Sequence, residues 1–182
     1  MARLAAFLRG INVGGHVVKN DQLKKIFGKA GCDDVQTFIA SGNVVFSSKS
    51  RSMPALEKKI EGELRKALGY EVRVFVRTED EVLAVAAHQP FNAAQLKDAR
   101  SVYVGFLPAA PSAATVKALM KLRTETDEFH VKGREVYWLL RAPFTDSKVN
   151  YNTFERTLAA PATFRVTRTI NRLAEKYGFG AG

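Results

Sequence analysis

The chain has 182 residues, 46% of them hydrophobic and 25% charged, with a formal net charge of +10. A chain of this length buries enough surface to fold without a metal or a disulfide framework. No run approaches the ~20 apolar residues that cross a bilayer, which argues against a membrane protein.

The first strand is read at Leu4-Ala5-Ala6-Phe7-Leu8. These apolar residues are too few for the core of a secretory leader before Arg9 interrupts them, so a soluble, cytoplasmic protein is expected. A loop, Arg9-Gly10-Ile11-Asn12-Val13-Gly14-Gly15, leads to a helix expected to start near Asn20-Asp21, good N-cap residues. Leu23, Ile26, Phe27 and Ala30 mark its apolar face, and Gly31 suits its end. Two β-rich runs follow, Val35–Ile39 and Val44–Phe46, joined by the hairpin signal Ala40-Ser41-Gly42-Asn43. Pro54 opens a second helix, with Leu56, Ile60, Leu64 and Leu68 at four-residue spacing, and Gly69 closes it. Val72–Arg77 alternates as a strand. The order is β-α-β-β-α-β, the ferredoxin-like pattern.

A helix from Glu79 to Ala87 and the segment His88-Gln89-Pro90 connect onward, and the pattern then restarts. Val102–Leu107 reads as a strand. Pro111-Ser112 opens a helix. Phe129–Val131 and Glu135–Leu140 form a hairpin around Lys132-Gly133-Arg134. Asn152 and Glu155 have the spacing of a capping box. Thr163–Val166 is a short strand, and Ile170, Leu173 and Tyr177 mark a last helix. The expected fold class is α+β, with two ferredoxin-like (βαββαβ) subdomains packed together on antiparallel sheets. Residues 1–78 form the first, 79–98 a helical connector and 99–182 the second. Neither Leu4–Leu8 nor Val136–Leu140 has a polar face. Strands of that kind are covered on both sides, so the face away from the helices is expected to meet the other half or a partner chain.

The charge is spread along the chain. Residues 1–94 hold 14 Lys/Arg against 10 Asp/Glu, and residues 95–182 hold 14 against 8. This balance favours anionic partners. Cys32 is the only cysteine; with Asp33-Asp34 beside it, it reads as a structural thiol. His16, His88 and His130 lack the paired spacing of metal ligands, so no metal is expected. No Gly-x-Ser-x-Gly elbow occurs.

The segment Arg9–Gly15 is the most unusual. Its backbone N–H groups suit an anion near a helix N-terminus, with Lys19 close by. It is neither a Walker A loop nor a dinucleotide fingerprint. The plainer reading is that its glycines only permit a tight turn. In a βαββαβ sheet the first and third strands are antiparallel neighbours, so this loop and Ser41-Gly42-Asn43 emerge at one edge. That hairpin read by itself is a plain β-turn. Arg168, Arg172 and Lys176 line one face of the last helix, either as a phosphate-binding stripe or as a solvated face.

The expected ligand-binding residues are therefore Arg9, Asn12, Gly14, Gly15, Lys19, Ser41, Gly42 and Asn43, for a small anionic ligand such as a nucleotide or phosphorylated metabolite. No catalytic residue and no cofactor is assigned. A nucleic-acid-binding module using the diffuse basic surface is the alternative. It is weakened because neither Asn43–Ser48 nor Glu135–Leu140 carries the stacking-aromatic motif of an RNA-recognition strand. A structural or interaction protein, monomeric or homodimeric, is the third possibility.

The segments Phe7–Gly15 and Thr37–Phe46 resemble those of a known family, the domain-of-unknown-function 1697 family. The similarity continues weakly at Ser147-Lys148 and from Thr163 to Leu173. The resemblance implies two ferredoxin-like subdomains and no established activity, substrate or cofactor. Members of that family usually carry Met where Asn20 stands. They usually carry Asn, often with Trp, after the arginine matching Arg165, where this chain has Val166-Thr167.

Overall fold

The structure, a computed structural model, describes residues 1–39 and 42–181. Two compact units are present: Met1–Ala84 joined by the chain from Leu173 onward, and Val85–Arg172. Each holds one four-stranded antiparallel sheet with βαββαβ connectivity, so the α+β, doubly ferredoxin-like architecture is observed.

In the first unit β1 (Ala2–Arg9), α1 (Asn20–Lys29), β2 (Asp33–Thr37), β3 (Asn43–Ser48), α2 (Met53–Leu68) and β4 (Arg73–Thr78) give the sheet order β2-β3-β1-β4. Leu4, Ala6 and Leu8 of β1 pack with Leu23, Ile26 and Phe27 of α1 and Leu56, Ile60 and Leu64 of α2 in one core. The local signals explain the helices. Ser52 Oγ accepts from Ala55 N at the start of α2, and Gly69 closes it in the left-handed conformation at φ 80°. Helix α1 starts one residue earlier than its capping signal implies. Leu23 N donates to Lys19 O, so Lys19 occupies the N-cap and Asn20 is already helical. Strand β2 lies two residues upstream of the expected run. Its pairing with β3 shifts register between Asp33 and Gln36 around Asp34 at φ 52°, a β-bulge.

The face of this sheet away from the helices is also covered. Ala5, Phe7, Val45, Phe75 and Arg77 are all buried. Part of the cover is the C-terminal segment. Arg3 donates to the carbonyls of Tyr177 and Gly178 at 2.6 and 3.0 Å and pairs with Glu79 at 3.1 Å. Tyr177 donates its hydroxyl to Thr37 O, and Gly180 N donates to Glu79.

The second unit begins within α3 (Glu79–Ala87) and continues through α4 (Ala93–Lys97), β5 (Ser101–Phe106), α5 (Ala113–Met120), β6 (Asp127–Lys132), β7 (Glu135–Leu140), α6 (Tyr151–Leu158), β8 (Thr163–Val166) and α7 (Thr167–Lys176). Its sheet order is β6-β7-β5-β8. Helix α4 has no counterpart in the sequence reading. It is held by a capping box in which Asn92 and Gln95 bond each other's backbone. The Asn152–Glu155 capping box does not form. Helix α6 starts at Tyr151, Asn150 Oδ1 accepts from Thr153 N, and Glu155 reaches instead to Ala162 N. The core centres on Trp138, whose indole lies against the rings of Phe129, Phe144, Phe154 and Phe164. Among the described residues no helix is long and apolar enough to cross a membrane.

Candidate functional site

The glycine-rich loop follows β1 directly. Gly10, Asn12, Gly14 and Gly15 all have positive φ, between 54° and 84°. Asn12 tolerates this conformation better than most side chains, and its Oδ1 accepts from Val18 N at 2.7 Å, which closes the loop upon itself. Gly14 and Gly15 are exposed, and neither N–H is engaged by another described residue. Lys19 is exposed at the N-cap of α1. Arg9 is half-buried and stands opposite Arg73 in the β1–β4 ladder, Arg73 itself being paired with Glu61 at 3.7 Å. His16 stacks on Tyr70 with ring centroids 4.3 Å apart, which ties the loop to the end of α2.

The hairpin does reach this edge. Phe7 pairs with Asn43, and Leu8 N donates to Gly42 O at 2.9 Å. Ser41 lies outside the described residues. Asn43 is buried, and its Nδ2 donates to the carbonyls of Phe38 and Ile39 at 3.0 and 3.3 Å. Ile39 has φ 45°, costly for a β-branched residue. The Asn43 amide bonds the Ile39 carbonyl in that conformation. Asn43→Ala is therefore expected to cost about 2 kcal/mol, because two carbonyls lose their donor. Urea unfolding should show a lower midpoint at unchanged slope.

The other singled-out residues fall elsewhere. Cys32 is buried, and burial pushes its thiol up to about 11, with Lys59 opposing and Asp33 adding to the shift. His88, His130 and Tyr137 form an aromatic cluster in the second unit, with His88 5.2 and 5.0 Å from the other two. Among the described residues no three His, Cys, Asp or Glu side chains gather as a metal site. Of the cationic stripe on α7, Lys176 lies over the rings of Phe38 and Tyr177. Phe7, Phe75, Phe106 and Tyr137, the aromatic residues on the faces away from the helices, are buried.

Two features lie outside the site expected from the sequence. The first is Asp127, fully buried, whose carboxylate accepts from Ser147 Oγ and Thr124 Oγ1 at 2.7 Å, Thr126 Oγ1 at 2.8 Å and Trp138 Nε1 at 2.9 Å. Burial by itself would raise this carboxyl, but the four hydrogen bonds outweigh it and hold it below the usual range. The second is a repeated arginine. Arg77 faces Ala5 on β1, and Arg165 faces Val104 at the corresponding place on β5. Arg165 donates to Thr163 Oγ1 and Phe164 O, and burial draws its guanidinium down to about 10, so it remains charged at neutral pH.

A family described as "Protein of unknown function (DUF1697)" matches residues 1–137. No curated protein matches the chain. Among solved structures the chain is similar to the conserved bacterial protein SP0830 from Streptococcus pneumoniae, with a TM-score of 0.75 and 20% identity, over 98% of this chain and 99% of that one. At that identity the likeness speaks to the fold alone.

Proposed function

The chain belongs to the DUF1697 family of proteins of unknown function, and within it we propose that this protein binds a small anionic ligand, a nucleotide or phosphorylated metabolite, at the glycine-rich edge of its first unit. The observation that carries this reading is the exposed, left-handed pair Gly14-Gly15, with both N–H groups unengaged among the described residues. Backbone turned in this way gathers N–H groups into an anion-binding concavity. Lys19 and the N-terminus of α1 supply positive potential beside it, and Arg9 supplies a forked donor suited to phosphate or carboxylate. Asn12 and Asn43 enter as the residues that shape the two loops. Gly42 brings the hairpin alongside. No catalytic group is assigned.

Thermal unfolding with ADP, GDP, glucose 6-phosphate and inorganic phosphate tests the reading. A ligand present at 100 times its Kd is expected to raise the midpoint by about 5–10 °C. Lys19→Ala and Arg9→Ala should each remove that rise while leaving the ligand-free midpoint within a few degrees. If no compound raises the midpoint, or both variants keep the full rise, the glycines serve only the turn.

A further inference from the structure

Two adjoining hollows open on the second unit where β8 passes into α7. The larger, about 360 Å³, is bordered by Arg100, Ser101, Val166 and Arg168. The smaller, about 100 Å³, is bordered by His88, Gln89, Phe91 and Asn171. Leu96, Val102 and Thr167 border both, so the two lie side by side. The larger by itself falls within the range of small-molecule sites, roughly 300–1,000 Å³.

We propose that this cleft binds a small organic oxyanion, a carboxylate or phosphate carried on a short apolar body. Its chemistry is amphipathic. Arg100 and Arg168 are exposed, and neither guanidinium pairs with another described residue. Both are anchored at their bases: Arg100 N donates to Leu140 O at 2.7 Å, and Arg168 lies in the first turn of α7. Two charges held on fixed backbone and bordering one hollow differ from a solvated stripe, in which cations spread apart.

The walls supply the apolar half. Leu96 and Val166 are 37% and 39% exposed. A single exposed aliphatic side chain is ordinary, but two beside one cleft rimmed by unpaired cations match a ligand with both characters. The smaller hollow is bordered by His88. His88 Nε2 is buried with no hydrogen-bond partner among the described residues. Such an atom is costly to leave unpaired, and a polar group on the ligand would satisfy it. Burial, followed by Lys132 and His130, holds this imidazole below the ordinary histidine value, so it is neutral at neutral pH and can donate or accept.

The test is an ¹H–¹⁵N correlation titration of the full chain with phenyl phosphate and with benzoate. Inorganic phosphate, which lacks the apolar body, and benzyl alcohol, which lacks the charge, serve as controls. Saturable shifts are expected at the amides of Ser101, Val102, Thr167 and Arg168 with phenyl phosphate or benzoate, and the tighter of the two identifies the oxyanion. Both controls should bind at least about tenfold more weakly, since each lacks one half of the recognition. The double variant Arg100→Gln/Arg168→Gln, made at exposed side chains, should retain the native spectrum elsewhere and bind at least about tenfold more weakly. Arg9→Ala should leave this binding unchanged, which separates it from the glycine-rich edge. The proposal is overturned if neither probe shifts these amides, if benzyl alcohol binds equally well, if the double variant binds as tightly, or if Arg9→Ala abolishes binding.

Discussion

Replacing Asp127 with alanine is expected to lower the thermal midpoint by about 10 °C, from a loss of roughly 3–5 kcal/mol. The size follows from what the carboxylate satisfies. Ser147, Thr124, Thr126 and the indole N–H of Trp138 all donate to it. Without it these donors remain in a region where the aspartate itself has no solvent exposure. Each buried donor left unpaired is costly, while the bond it made adds little net stability. The loss also has structural reach. Trp138 meets five other aromatic rings, and Ser147 caps the turn to Val149. Near-ultraviolet circular dichroism should therefore report a changed tryptophan environment even below the transition.

The same group sets a pH dependence. Its folded pKa is depressed, so the stability it contributes is present above the unfolded carboxylate value, near 4. That contribution declines as pH falls through the folded value. Wild-type protein should lose stability on acidification below about pH 4, and Asp127→Asn should flatten that limb while lowering stability at neutral pH. An unchanged acid limb in the asparagine variant would place the titrating group elsewhere.

Gly105→Ala is expected to lose at least about 2 kcal/mol through overpacking. Glycine is required here for a reason unrelated to backbone freedom. Gly105 on β5 faces Phe164 on β8, and a Cβ at Gly105 would lie 2.5 Å from Phe164 Cε1 and 2.9 Å from Cζ. The ring cannot move aside easily. Tyr151 is stacked on it at 5.3 Å, and Phe154 and Trp138 meet it edge-on at 5.0 and 5.8 Å. A double-mutant cycle gives the check. Gly105→Ala combined with Phe164→Leu should cost measurably less than the sum of the single changes, because the smaller side chain leaves room for the methyl group. Simple additivity would show that the methyl is accommodated by some other route.

The glycine-rich edge was legible in advance because its placement follows from connectivity. Once the first half is read as βαββαβ, the first and third strands must be neighbours, and the loop after one must meet the hairpin before the other. The register of Phe7 with Asn43 expresses that geometry. Where the structure departs from the sequence reading, the causes are local. The bulge at Asp34 displaced β2, because periodicity assumes one residue on each strand per pair. The capping box at Asn152 was mistaken because Asn150 offers the same chemistry two residues earlier and the helix starts there. Asp127 gave no warning at all. Its donors come from positions 124, 126, 138 and 147, which read along the chain as unrelated polar residues and one core tryptophan.

The sequence by itself determined the two repeated sheets, since the alternation of apolar residues and the glycine and proline punctuation act over distances the local chain can enforce. It also determined where the glycines lie and hence where left-handed backbone is available. Only the tertiary structure decided which side chains share a partner. Arg3 holds the carbonyls of Tyr177 and Gly178, Gly105 admits the ring of Phe164, and Arg100 borders one cleft with Arg168. Pairings of this kind depend on strand register and helix placement, which sum many weak contacts across the fold, and no short window of residues contains them.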